Sequence, residues 1–100
     1  MLAEHLLREV RRAIPDVTVS ARDSYVSLGH PAEFAALLVS PKEIRLGVQI
    51  AEPAPAELTR GKFPGTAAAI SHVIALTDAR QITPSLVEAI RRADKTVNSG

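Results

Sequence analysis

The chain of 100 residues contains no cysteine and only three aromatic side chains, Tyr25, Phe34 and Phe63. Without cysteine it has no disulfide bond, no thiol nucleophile and no thiolate metal site. Because aromatic residues are so few, the core must be built from leucine, isoleucine, valine and alanine. Hydrophobic residues make up 46% of the chain and charged residues 23%, which is typical of a folded chain and not of a disordered one. This length corresponds to one ordinary domain, and we assign residues 1–100 to it.

The sequence also lacks a long apolar run and a strong excess of either charge. No stretch approaches the roughly 20 apolar residues that cross a bilayer, and Met1–His5 has no apolar block of a signal peptide. We therefore expect a soluble, cytoplasmic protein with no membrane association. The formal net charge is +1, whereas nucleic-acid-binding domains usually carry a clear positive excess. Nucleic acid is therefore only weakly supported as a partner.

Two amphipathic helices are predicted at opposite ends of the chain. Apolar residues recur at helical spacing over Leu2–Ile14, and Pro15 ends that helix. The last helix has a clear start signal, with Thr83 as N-cap and Pro84 at the first helical position. Its apolar stripe consists of Leu86, Ile90, Ala93 and Val97.

Short strands are predicted between the helices. Residues alternate between apolar and polar in Val17–Ser20 and Ile44–Ile50, and further strands are predicted at Tyr25–Leu28 and within Ile70–Thr77. Phe34–Val39 is apolar on both faces, which fits a central strand or one whose second face meets a partner.

The connections between these strands are turns and loops. Ser40–Glu43 is turn chemistry that joins two strands into a hairpin, Ala56–Arg60 is predicted as one helical turn, and Gly61–Gly65 is a surface loop anchored by Phe63. The pattern predicts an α+β fold, a two-layer sandwich with an antiparallel sheet of four to five strands and both helices on one face. Polar residues such as Thr18, Ser20, Arg45 and Gln49 then face solvent on the uncovered side.

One set of strand and turn residues forms a recognisable pattern: Val17–Val19, Tyr25, Phe34–Leu37, Ile44–Val48 and Ser71–Val73, together with the last helix. This pattern resembles a family of small bacterial domains of unknown function, some of whose relatives are labelled predicted transport proteins. The chain departs from the family pattern at Thr83, where aspartate is frequent, and at Asp94, where an aromatic residue is frequent. The resemblance implies a fold and no established activity.

Residues with catalytic or ligand-binding chemistry are few, and no spacing joins them into a motif. His5 and His30 are expected at a helix surface and in a turn, while His72 corresponds to a histidine of the family pattern. A structural, hydrogen-bonding role for His72 is favoured, since a metal site needs three or four converging ligands. We expect no metal and no cofactor. If a ligand pocket exists, we expect His72, Tyr25 and Lys62 around it.

Basic side chains cluster near the ends of both helices. They are Arg8, Arg11 and Arg12 on the first helix, and Arg91, Arg92 and Lys95 on the last. Cations at helix C-termini complement the helix dipole, which explains both groups without a ligand. If the helices lie side by side, the two groups could form one surface for a polyanion or an acidic partner.

Two functional hypotheses follow from these observations. The first is a non-enzymatic interaction or accessory module that forms a homodimer or binds a protein partner; it depends on the absence of a catalytic set, the doubly apolar strand and the basic helix ends. The alternative is a small-ligand-binding domain or weak enzyme with a pocket near His72, Tyr25 and Lys62. Whether the chain is an enzyme stays open, and the first hypothesis is preferred.

Overall fold

A computed structural model of the chain describes residues 2–63 and 65–98; Pro64, which belongs to the predicted surface loop, lies outside them. Two α-helices flank six strands in chain order, with a short 3-10 helix before the last element. The helices are α1 (Leu2–Ala13) and α2 (Pro84–Asn98), and the 3-10 helix is Ala79–Gln81. The strands are β1 (Thr18–Ala21), β2 (Val26–Gly29), β3 (Glu33–Val39), β4 (Ile44–Val48), β5 (Thr59–Arg60) and β6 (His72–Leu76).

All neighbouring strands are antiparallel, and their order across the sheet is β1-β2-β3-β4-β6-β5. The α+β class is confirmed, but the prediction of four to five strands was wrong, because the sheet has six. The additional strand is β5, where the sequence predicts a helical turn. Leu58 N–H closes a turn on Pro55 O, and Thr59 and Arg60 then pair with Val73 and His72. A two-residue strand has no periodicity of its own, so only its pairing with β6 defines it.

The main core lies between the sheet and the two helices, on what we call the helix face. It is aliphatic apart from Phe34, and its largest fully buried side chains also include Leu6, Leu28, Leu37, Leu46, Leu76, Leu86 and Ile90. The last helix starts as the local signals indicate: Thr83 Oγ1 accepts a hydrogen bond from Leu86 N–H at 3.1 Å, and α2 begins at Pro84. α1 ends at Ala13, one residue before the predicted end.

The opposite face of the sheet, the loop face, is covered only in part: Thr18 and Arg45 are exposed there as the alternation predicts, but a loop packs over the middle of the face. The covering loop, residues 61–63 and 65–70, places Phe63, Ala68 and Ile70 in a second apolar cluster with Ala36 of β3. Phe63 is buried, which confirms its anchoring role. β3 is a central strand, and the covering loop accounts for part of the apolar character of its second face.

Gly47 of β4 makes room for this loop. A Cβ at position 47 would lie 2.8 Å from Ile70 Cγ2 and 3.2 Å from two ring carbons of Phe63. The covering loop therefore approaches the β4 backbone directly. Within the described residues, neither helix is long and apolar enough to span a membrane.

Candidate functional site

His72 lies at the start of β6 on the helix face, opposite Val48, and is 3% exposed. Its Nε2 is 2.7 Å from Glu52 Oε1, and its Nδ1 is 2.8 Å from Ser71 Oγ. Because a carboxylate only accepts hydrogen bonds, Nε2 donates to Glu52. Both ring nitrogens of this buried histidine are thus engaged by neighbouring side chains.

Ser71, Glu52 and His72 have the composition of a hydrolytic triad, but the serine hydroxyl is enclosed by the backbone. Ser71 Oγ accepts from Ile50 N–H at 3.1 Å and lies 3.0 Å from Ile50 O and 3.3 Å from Val48 O, besides its contact with His72. A nucleophile needs an open direction toward its substrate, and these neighbours occupy the surroundings of this oxygen. The cluster joins the end of β4 to the start of β6.

Tyr25 lies on the loop face, in contact with the second apolar cluster. Its hydroxyl donates to Glu33 Oε1 at 2.9 Å, and Glu33 Oε2 accepts from Ala68 N–H at 2.8 Å. Burial raises the pKa of Glu33, but hydrogen bonds from Ser27, Ala68 N–H and Tyr25 outweigh it, so the pKa is lowered from 4.5. This carboxylate fastens the covering loop to the sheet.

The three residues of the proposed ligand pocket are therefore not brought together. His72 belongs to the helix face, since its partner Val48 is in the main core, whereas Tyr25 packs on the loop face. Lys62 is exposed in the covering loop. The sheet itself separates the histidine from the tyrosine, so one pocket cannot use both.

The basic helix ends are brought together only in part. Arg12 and Arg91 line one surface groove of about 450 Å³ between α1 and α2, beside Glu9 and Glu88. Each arginine pairs with the glutamate three residues before it, at 3.4 Å for Arg12 and 2.9 Å for Arg91. The groove therefore carries both signs of charge.

The other basic residues of the two helix ends do not line this groove. Arg92 donates from Nη2 to Ala51 O at 2.9 Å and to Pro53 O at 2.8 Å, so it anchors the segment after β4. Arg8 and Arg11 are exposed on α1, and Lys95 is exposed on α2.

A further polar cluster, around His30, was not predicted from the sequence. His30 Nδ1 lies 3.1 Å from Asp94 Oδ2, and Asn98 contacts Asp94 and both backbone groups of Ala32. Asp94 and Asn98 are four residues apart, so they lie on one face of α2, and this spacing is the feature of the sequence that could have indicated the cluster. The departure from the family pattern at Asp94 thus supplies a partner for His30.

No group of three or more histidine, aspartate or glutamate side chains in residues 2–63 and 65–98 is arranged to hold a metal ion. The polar clusters consist of pairs and small networks that join elements distant in sequence. Their chemistry in this structure is hydrogen bonding between parts of the fold.

Comparison of the chain with curated proteins and with solved structures gives no match. A family model described as "Domain of unknown function (DUF5655)" matches residues 1–95. The resemblance to a family of domains of unknown function is confirmed at that level; bacterial origin and a link to transport proteins are not part of the finding. With nearly its whole length matched, the chain belongs to the DUF5655 family.

Proposed function

We propose that this domain is a non-catalytic interaction module that associates with a second copy of itself. The observation that carries the proposal is the outer edge of β1, the first strand of the sheet order. A strand at a sheet edge presents unpaired backbone groups that another strand can extend. β1 contains neither proline nor lysine, residues that commonly prevent such pairing.

The polar clusters favour a structural role, and not a catalytic one, for the side chains that could act as an acid, a base or a nucleophile. Ser71 and His72 are bound to each other and to the segment after β4, and Tyr25 is bound to Glu33. A general acid, base or nucleophile has to reach a substrate atom directly or through one water molecule. Side chains held in this way support the interaction module over the ligand-binding alternative.

A protein partner is favoured over a polyanion because much of the basic charge is already used. Arg12 and Arg91 pair with glutamates, and Arg92 binds backbone carbonyls. Polyanion affinity depends on the number of phosphates that cations neutralise. Glu9 and Glu88 lie beside Arg12 and Arg91 in the groove between the helices, and these carboxylates would repel phosphates.

The test is the sedimentation of the full chain over a concentration range that reaches about 1 mM. We expect the mass to rise from the monomer value of 10.7 kDa toward twice that value. A mass that stays at 10.7 kDa throughout would contradict the proposal.

A parallel titration with a short DNA duplex, followed by amide shifts at two salt concentrations, separates the polyanion alternative. We expect no salt-sensitive shifts. Shifts centred on Arg8, Arg11 and Arg12 that weaken steeply with salt would make nucleic acid the partner class instead.

A further inference from the structure

The two edges of the sheet end differently. At the β5 side, Gln81 binds backbone groups at the end of β6 and just after it. Its Oε1 accepts from Thr77 N–H at 2.7 Å and Asp78 N–H at 3.0 Å, and its Nε2 donates to Ala75 O at 3.4 Å. The side chain thus occupies backbone groups beyond the point where β5, the outer strand at this edge, stops pairing with β6.

At the other edge, β1 keeps its outward backbone groups unpaired. Arg22 N–H donates to Tyr25 O at 2.8 Å, and the register pairs Ser20 with Ser27 and Thr18 with Gly29. Hydrogen-bonded pairs alternate along an antiparallel ladder, so the N–H and C=O groups of Val19 and Ala21 point away from β2. In the part of the chain that the structure describes, no side chain or loop forms a hydrogen bond to these groups.

We infer that a second copy of this chain pairs antiparallel with β1, with Val19 opposite Ala21 of the second copy and the two-fold axis at Ser20. The inference rests on the proposed function and assigns its surface. In this register each Val19–Ala21 pair exchanges two hydrogen bonds, so the outward groups of both strands are all used. Val17 does not extend the pairing, because its N–H already donates to Ile14 O at 3.0 Å.

In this register, the side chains along β1 of one copy are complementary to those along β1 of the second copy. Val19 meets Ala21 of the other copy on the helix face, and the two Ser20 side chains meet on the loop face. Arg22 faces Thr18 of the second copy, and its long side chain reaches the diagonal neighbour Asp16. Arg22 and Asp16 are both exposed in the single chain, so the symmetric pair adds two complementary charge contacts.

The expected association is weak and reversible. A four-residue edge buries less surface than the roughly 1,200 Å² of a stable specific interface. This is the reason for carrying the measurement to high protein concentration.

The deciding variant is Ala21→Pro. Proline at position 21 removes an outward N–H and leaves the β1–β2 ladder intact, because Ala21 N–H is not part of that ladder. We expect its dissociation constant to rise at least about tenfold in sedimentation. Ala21→Val, which keeps the N–H, is the matched control and should associate like the unchanged chain.

Hydrogen exchange in the unchanged protein gives an independent measurement. The amide protons of Val19 and Ala21 should become slower to exchange as concentration rises, whereas Ser20, already bonded to β2, should not change. Equal behaviour of the three amides would overturn the assignment.

Variants that reverse the charges at positions 22 and 16 test the proposal if Ala21→Pro does not fold. Arg22→Asp should weaken association, and Arg22→Asp combined with Asp16→Arg should restore it. If a folded Ala21→Pro associates normally, or if Arg22→Asp does not weaken association, the β1 surface is wrong although self-association stands. A monomeric unchanged chain overturns both proposals.

Discussion

At the scale of single residues, the polar side chains of this domain connect elements that are far apart in sequence. Glu33 of β3 holds Ala68 of the covering loop, and His72 of β6 holds Glu52 after β4. Asp94 of α2 holds His30 after β2. The contacts of Ala68 and His72 satisfy polar groups of buried residues, whereas His30 is partly exposed. The contribution of each contact to the free energy of unfolding should depend on how exposed its side chains are.

Glu33 should make the domain sensitive to acid. Its pKa in the folded chain is below 4.5, so as pH falls the unfolded chain takes up the proton first. The stabilisation is complete above about pH 4.5 and is lost as pH falls through the folded pKa. Urea unfolding of Glu33→Gln at pH 7 should show a loss of about 1–2 kcal/mol, with a smaller further loss in acid than in the unchanged chain.

Asp23→Asn, which changes an exposed carboxylate in the β1–β2 turn, is the control for that experiment. An unchanged slope of stability against pH in Glu33→Gln would show that this carboxylate does not bind the covering loop.

His72 should act on stability because it is enclosed on the helix face. We expect His72→Ala to cost about 2–3 kcal/mol, since it opens a cavity and removes a buried hydrogen-bonding group. Glu52→Gln should cost less than about 1 kcal/mol, because the Glu52 side chain is 62% exposed. Urea unfolding measures both, with His5→Ala on α1 as control. Equal effects at positions 72 and 52 would contradict this interpretation.

At the scale of elements, the covering loop turns a two-layer pattern into a sheet with apolar packing on both faces. Phe63 and Ile70 pack against the backbone at Gly47, and Glu33 and Gln49 hold the N–H groups of Ala68 and Ala69. The loop thus has both an apolar contact and polar attachments. Its docking decides how tightly the loop face is closed.

Gly47→Ala should reverse the usual effect of replacing a glycine in a strand. Alanine is ordinarily favoured there by roughly 0.5–1 kcal/mol, but the added Cβ would meet Ile70 Cγ2 at 2.8 Å. We expect a net loss of about 1–2 kcal/mol from overpacking. The near-ultraviolet signal of Tyr25, the single tyrosine, should change as the loop shifts.

Ala75→Val adds methyl groups to an exposed position of β6 and is the matched control. It should leave both the stability and the tyrosine signal nearly unchanged. A stabilising Gly47→Ala with an unchanged signal would mean that the covering loop does not pack on β4.

At the scale of the whole molecule, the proposed association depends on how the two edges of the sheet are arranged. Gln81 binds Ala75 O and Thr77 N–H at the end of β6, whereas β1 is the open outer strand at the other edge. A sheet with one covered and one open edge can form a closed two-fold pair, while two open edges permit chains of sheets. In the proposed dimer, Gln81 of the 3-10 helix would therefore help to limit the assembly to two copies.

Gln81→Ala should uncover the second edge. Removing the amide leaves Ala75 O and Thr77 N–H without this partner, so stability should fall by about 1 kcal/mol. Light scattering at high concentration should show species larger than a dimer. Arg80→Ala, in the same 3-10 helix, is the control and should not enlarge the assembly. A Gln81→Ala protein that stops at the dimer would show that Gln81 does not protect this edge.

The sequence predicted those parts of the fold whose signals are local. Thr83 and Pro84 mark the start of α2 because capping needs only the first turn, and the alternation of Ile44–Val48 follows from the geometry of one strand. Phe63 was identified as a loop anchor because a large apolar side chain in a polar segment has to be buried. For the candidate site, the sequence identified individual polar residues such as His72 and Tyr25. It did not predict which of these residues lie close together.

Composition and periodicity by themselves determined an aliphatic α+β domain with helices at both ends and a central doubly apolar strand, because those properties depend on neighbours within one element. Only the tertiary structure decided that Tyr25 and His72 lie on opposite faces, that Thr59 and Arg60 form a strand, and that His30 meets Asp94. These outcomes depend on contacts between residues distant in the chain. Such contacts arise from the packing of whole elements against one another, and no short stretch of sequence encodes them.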